Sequence, residues 1–235
     1  IDRLAKNGID LTRQPVEVAP IAHYHMGGIR VGSSLETRQR NLFAAGEAIG
    51  GANGANRLSG NAISEALVFG RRAGLAAAAR ARESTALTWH EAAARASLAL
   101  VSAAGAKPAI NLAALITKLQ HVMESHVGPF RSGEGLAAAL EEIGDLAEAL
   151  GAMPPGAPSR FDPERLDWFD ARNMLLVAEA VTRAALSRRE SRGAHQREDF
   201  PATDAAWRVN QALSLDGSGL ALAPVAPREA LAGAR

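Results

Sequence analysis

The sequence predicts an α+β chain in which a glycine-rich segment with short strands gives way to a three-helix bundle and then to a short mixed tail. Three observations carry that prediction. The first third sets Gly27, Gly28, Gly46, Gly50, Gly51, Gly54 and Gly60 among brief β-like runs. Residues 88 to 200 repeat apolar side chains at helical spacing. After Pro201 the texture is mixed, and LDGSG (215 to 219) has the composition of a turn between two strands. The expected divisions are 1 to 16, 17 to 86, 87 to 200 and 201 to 235.

Taken in order, VEVAPIA (16 to 22), GGIRV (27 to 31) and LFAAGE (42 to 47) predict short strands, the last ending at Glu47. NAISEALVFGRRAGLAAAARARE then predicts one long helix from Asn61. Gly70 and Gly74 within it cost roughly 1 kcal/mol each relative to alanine if exposed, and small residues allow close packing on a sheet. Leu112, Leu115, Ile116, Leu119, Val122 and Met123 mark the first bundle helix, and Leu136, Leu140, Ile143, Leu146 and Leu150 the second. The third starts near Pro163, suitably placed in a first turn, and runs through Leu166, Phe169, Leu176, Ala180 and Ala184 toward Arg189. GAMPPGAPSRFD (151 to 162) must be the loop before it, because its prolines forbid helix.

Composition narrows the function. The chain has 47% hydrophobic residues, enough for a true core, and a net charge of +1, which carries no polyelectrolyte signal for nucleic acid or an anionic membrane. Absence of cysteine rules out a disulfide framework, a thiolate metal site and a cysteine nucleophile. No apolar run reaches the roughly 20 residues of a spanning helix, so direct membrane insertion is not expected. The opening IDRLAKNGIDL has neither an initiator methionine nor a signal pattern, and reads as an interior part of a longer polypeptide.

Two stretches can carry chemistry. In GEAIGGANGANRLSGNAISEAL (46 to 67) a strand end, a glycine-rich loop and a helix start aim backbone N–H groups and a helix dipole at one point. Arg57, just before that helix, offers a planar fork for a carboxylate. The alternative is a glycine-rich turn with a solvated arginine. In HYHMGGIRV (23 to 31) His23 and His25 share one face of an extended chain, with Tyr24 opposite. No further ligand stands at zinc spacing nearby, so one functional histidine is favoured over a metal pair.

APIAHYHMGGI (19 to 29) and LFAAGEAIGGANGANRLSGNAISEALVFGRRAG (42 to 74) together resemble the C-terminal part of the FAD-binding α/β domain in the succinate dehydrogenase and fumarate reductase flavoprotein family, which includes L-aspartate oxidase. LQHVMESHVGPFRSGEGL (119 to 136) and NMLLVAEAVTRAALSRRESRGAHQREDFP (173 to 201) resemble its helical C-terminal domain. The likeness runs from about Gly8 to about Ala226. It implies an FAD-dependent oxidoreductase that interconverts succinate and fumarate by hydride transfer. It also implies a substrate-carboxylate role for His23 and Arg57, an FAD hydrogen bond for Glu47, and backbone N–H groups of Ala62 and Ile63 facing the flavin. Residues 1 to 16 would then be the end of the capping region or a linker. The resemblance places the proton-shuttling arginine and the GxGxxG pyrophosphate cradle in regions N-terminal to these residues, so FAD-binding and capping regions outside this chain are expected partners.

Asn53 departs from the family, which commonly has a histidine before GANRL, and the segment from Gly28 to Leu42 is short, so a trimmed hairpin is expected there. L-aspartate oxidase is the runner-up activity; REDFP and the tail with Trp207 and LDGSG favour the succinate and fumarate type. A non-catalytic helical module docking on an electron-transfer subunit is the rival from another class. An iron–sulfur partner subunit is expected, with a cytoplasmic location or peripheral attachment to the cytoplasmic membrane through partner subunits. His25 is expected to pack or to support its neighbours, His121 and His126 to be solvated or capping, and His195 to join the bundle to the FAD domain. Trp89, Trp168 and Trp207 are read as packing or docking residues, and the RRESR run (188 to 192) as matched by local acids and a helix dipole.

Overall fold

The computed structural model describes residues 2–17, 23–84, 89–105, 111–156, 159, 161–217 and 219–227. Its main core is the mutual packing of α4 (Leu112–Val127), α5 (Gly133–Leu150) and α6 (Pro163–Ser187). Leu115, Leu119 and Val122 meet Leu136, Ala139, Ile143 and Leu146, with Trp168, Ala171, Leu175 and Ala178 completing the interior. In α4 and α5 the apolar residues that helical spacing marks are largely the ones buried, whereas in α6 the expected face is displaced: Leu166 and Leu176 are exposed, and the inward side is lined by Trp168, Leu175 and small alanines that fit close between two helices.

Each bundle helix starts on a side-chain cap. Asn111 Oδ1 accepts from Ala113 N at 3.0 Å, Ser132 Oγ from Gly135 N at 3.0 Å, and Asp162 Oδ1 from Glu164 N at 3.0 Å. Pro163 occupies the first turn of α6, where a missing N–H costs nothing. Trp168 is fully buried, and its indole Nε1 donates to Leu150 O at 3.2 Å. The loop after α5 is tied down by buried Arg165, which donates to Pro155 O (2.8 Å), Gly156 O (3.2 Å) and Val101 O (2.7 Å). Val101 belongs to α3 (Glu91–Ser102), an alanine-rich helix for which the sequence shows no clear apolar stripe.

The glycine-rich segment departs from expectation. GGIRV and LFAAGE form isolated bridges rather than strands: Ile29 with Ile49 in parallel, Val31 with Thr37 and Glu36 with Phe43 antiparallel. Residues 16 and 17 are not strand, and residues 18 to 22 of VEVAPIA lie outside the described residues. The strand expected to end at Glu47 gives way to a 3-10 turn, Gly46–Ala48. Gly46 at φ 69° turns the chain out of extended geometry. Leu35 and Asn41 also take positive φ, 65° and 68°, which folds residues 31 to 43 into two tight reversals.

Leu35, Ile49 and Ala73 form a small second core, with Val31, Phe43 and Phe69 against it. Glu36 pins this part to α2 (Asn61–Glu83) by accepting from Arg80 Nη2 at 3.1 Å and from Asn41 N at 2.9 Å. The Asn41 bond first, then Arg80, holds the Glu36 carboxyl below its ordinary value. α2 runs unbroken through Gly70 and Gly74, yet buries only Ala73 among its residues.

A parallel pairing of β1 (Phe130–Arg131) with β2 (Gln196–Arg197) brings the SRGAHQREDFP stretch onto the bundle. Buried Arg197 donates to Ala185 O, Leu186 O and Arg188 O at 3.0 to 3.1 Å, satisfying carbonyls that the end of α6 leaves free. The same guanidinium pairs with Asp199 at 2.7 Å. In the tail, β3 (Asn210–Asp216) and β4 (Gly219–Val225) pair antiparallel from Asn210 with Val225 to Asp216 with Gly219, flanking the expected turn. Arg188 secures the tail through Trp207 O (2.9 Å) and Val209 O (2.7 Å), with Trp207 stacked at 5.2 Å. Trp89, by contrast, is 76% exposed and packs into no core. Among the described residues no helix is long and apolar enough to cross a membrane.

Candidate functional site

The HYHMGG segment, the glycine-rich loop and the start of α2 converge. Gly28, at φ 135°, is what allows it: a Cβ there would stand 2.5 Å from Ala48 O. That close approach aligns Ile29 N with Ala48 O (2.8 Å) and Gly50 N with Ile29 O (3.1 Å). Glu47 lies in the intervening 3-10 turn, and its Oε1 accepts from His25 N at 2.8 Å.

Tyr24 is half-buried between exposed His23 and exposed His25. Exposure of His25 departs from the expected packing role, and the hydrogen bond it makes among the described residues is through its backbone N. The Tyr24 hydroxyl donates to Glu65 Oε2 at 2.6 Å, and Asn53 Nδ2 lies 3.2 Å from both of those oxygens. The Glu65 hydrogen bond chiefly, with desolvation and the charges of Glu65 and Glu47, holds the phenol above its ordinary value, so it stays a donor.

Arg57 lies over the Tyr24 ring with Cζ 4.4 Å from the centroid. Its Nη1 donates to Leu58 O at 3.1 Å, while its buried Nε has no partner among the described residues. No described carboxylate pairs with it, so a cation with unused donors sits over the residue next to His23. Such a group is costly unless an anion completes it. Residue spacing had marked His23, Arg57 and Asn53; it had not marked Glu65, whose only signal is its place one turn into α2.

α2 opens on Gly60 at φ 90°, with no side-chain cap on its first N–H groups. Ala62 is half-buried and Ile63 is 74% exposed, with Leu58 and Leu67 also exposed beside them. Free backbone donors edged by apolar side chains fit a flat ring system with polar atoms at one edge, and the isoalloxazine of FAD is such a ring. Among the described residues no group of three His, Asp or Glu could hold a metal ion.

The helical domain touches this loop directly. Ala194 N donates to Ala55 O at 3.0 Å, two residues before Arg57. Gly193, at φ 58°, leaves no room for a side chain, since a Cβ would overlap the Ala55 carbonyl. Behind this turn, fully buried Glu190 accepts from Arg192 Nη2 (2.9 Å), Asp204 N (2.9 Å) and Arg188 Nη1 (2.7 Å). Burial pushes its carboxyl up, but the Arg192, Asp204 and Arg188 hydrogen bonds outweigh that and bring it to about 2. His195 accepts on Nδ1 from Arg131 Nη1 at 2.7 Å and faces Arg188 O with Nε2 at 3.3 Å, the neutral Nε2–H tautomer. Burial, then the Arg131 charge, lowers it to about 4. His195 therefore ties Arg131 to Arg188 within the helical domain, and the expected join to the flavin domain is made by its neighbours, through Ala194 N on Ala55 O and the close approach of Gly193. His121 is solvated, and His126 lies at the end of α4, 3.8 Å from Glu142.

Known proteins match this chain along most of its length. The profile described as "FAD binding domain" matches residues 1–63, and the one described as "Fumarate reductase flavoprotein C-term" matches residues 116–227. A fumarate reductase (CoM/CoB) chain of Methanothermobacter marburgensis is 40% identical over 204 residues, covering 86% of this chain and 37% of that protein. L-aspartate oxidase of Rhodospirillum rubrum is 43% identical over 202 residues, covering 85% and 64%. A solved Mycobacterium smegmatis Sdh1 complex in the apo form superposes with a TM-score of 0.82 at 37% identity, over 96% of this chain and 39% of that one. The chain thus spans about two fifths to two thirds of the length of these relatives. Two profile matches joined by a fold shared over nearly the whole chain mean that it belongs to the succinate dehydrogenase and fumarate reductase flavoprotein family, which includes L-aspartate oxidase.

Proposed function

We propose that this chain is the C-terminal portion of an FAD-dependent dicarboxylate oxidoreductase that interconverts succinate and fumarate. The observation that carries the reading is Arg57, a guanidinium stacked on Tyr24 beside His23 with no carboxylate partner among the described residues. Residues 17 to 86 would complete the flavin domain, and residues 87 to 200 would brace it.

In this reading Arg57 takes one substrate carboxylate through two parallel N–H donors, and His23 takes the other. Holding both ends fixes the carbon–carbon bond for reaction and forgoes the entropy of alignment. Glu47 would hydrogen-bond FAD with the oxygen not used by His25, and the N–H groups of Ala62 and Ile63 would face the ring's polar edge at the start of α2. FAD supplies the two-electron acceptor or donor for hydride transfer. Asn53 contributes no proton, because its amide is committed to Glu65 and Tyr24. An iron–sulfur partner, with a cytoplasmic or peripheral membrane location, follows from the same reading.

L-aspartate oxidation is the second reading, favoured by the 43% identity with the Rhodospirillum rubrum enzyme. Both are tested on the natural protein purified from its host, assayed with succinate, fumarate and aspartate. The Arg57→Lys variant loses two parallel charge-assisted bonds, and kcat/KM should fall about 100-fold or more. Unchanged kinetics would reject the assigned clamp, and turnover of aspartate alone would select the second reading.

A further inference from the structure

We propose that Tyr24, held by Glu65, is a positioning residue that presents the Arg57 guanidinium to its anionic ligand; the proposal rests on the dicarboxylate reading above and names what aims its clamp. An arginine on a glycine-rich loop has many rotamers, and every one that must be frozen on binding weakens the complex. Here Arg57 is frozen in advance. Its Cζ stands 4.4 Å over the Tyr24 ring, close enough for the ring face to hold the cation. Nη1 rests on the neighbouring carbonyl of Leu58 at 3.1 Å, so the head has one tether besides the ring.

The ring is itself fixed. Glu65, one turn into α2, accepts from the Tyr24 hydroxyl at 2.6 Å and from Asn53 Nδ2 at 3.2 Å. A single carboxylate oxygen therefore joins the HYHMGG segment, the glycine-rich loop and the helix. Glu65 makes no ion pair with Arg57: it is bonded to the Tyr24 hydroxyl, and Arg57 stacks on the Tyr24 ring. Its oxygen is engaged by the phenol and the amide rather than by the guanidinium, whose Nε stays open to an incoming carboxylate. Asn53 fits the same role: an uncharged side chain at this place accepts its position from Glu65 and leaves the field of Arg57 unchanged.

The test places phenylalanine, then mono-, di- and trifluorinated phenylalanines, at position 24 of the natural protein and measures the Kd of malonate, a dicarboxylate with no bond to oxidise. Fluorination drains the ring face while nearly keeping its volume. The Kd should rise stepwise, by about tenfold across the series for a stacking contact of ordinary strength, with kcat at saturating substrate falling less and the thermal midpoint steady. Tyr24→Leu should weaken malonate binding by a similar factor. Glu65→Gln, which loses the charge but can still accept, should raise Kd about threefold. A flat fluorinated series beside an Arg57→Lys variant that abolishes malonate binding would overturn the positioning role alone. Malonate binding untouched by Arg57→Lys would overturn the dicarboxylate reading itself.

Discussion

His195 should loosen the packing of the SRGAHQREDFP turn on the bundle on mild acidification, because its ring joins Arg131 to Arg188 O. Its imidazole takes a proton at 6.5 when free but only near 4 in the fold, where burial and then the Arg131 guanidinium oppose it. Above pH 6.5 both states hold it neutral, so its contribution is fully present. As pH falls through 6.5 toward about 4, the unfolded chain binds the proton first, and stability drains away. The shift corresponds to about 3 kcal/mol at most, or about 1–2 kcal/mol once solvent screening at this half-buried ring is allowed for. Most of the loss lies above pH 5. Glutamine at this position keeps a donor for Arg188 O and an acceptor for Arg131 but has no proton to take up. The assay compares thermal midpoints of the natural protein and of His195→Gln between pH 7.5 and 5. The parent should lose several degrees more than the variant across that interval. Parallel curves would refute the buried, neutral imidazole and the bridging geometry built on it.

Two further outcomes follow from packing. Gly193→Ala places a methyl against the Ala55 carbonyl and a side chain at positive φ, so thermal stability should drop by about 1–3 kcal/mol and the KM for dicarboxylate should rise as the Arg57 loop shifts; an unchanged KM would uncouple the turn from the site. Trp168→Ala empties the centre of the bundle and strands Leu150 O without its donor, which should cost about 3–5 kcal/mol in urea denaturation, whereas Trp168→Phe should cost less.

Much of this was legible in the residues. The bundle was, because Leu115, Leu119, Ile143 and Leu146 repeat at the period of the helix that buries them, and because Pro163 suits the first turn of its helix; the inward face of α6 was not, because its alanines and leucines alternate too evenly for spacing alone to choose a side. LDGSG was, because turn composition is local. The strands in GGIRV and LFAAGE were misread, because extended runs need a partner to become a ladder, and the backbone reversals at Leu35, Asn41 and Gly46 leave only single bridges. α3 was missed, because alanine repeated around a helix shows no face.

By itself the sequence determined the inward faces of α4 and α5, the start of α6 at Pro163, the glycine-rich turn and the family likeness. Only the tertiary structure decided that Arg57 stacks on Tyr24 across 33 positions, that Glu65 anchors that ring, and that Gly193 presses on Ala55 from the far end of the chain. In HYHMGG the sequence singles out His23, yet Tyr24 beside it is the residue whose side chain the fold engages. Contacts between distant positions depend on how whole elements pack, and no local pattern of residues encodes a distance that packing sets.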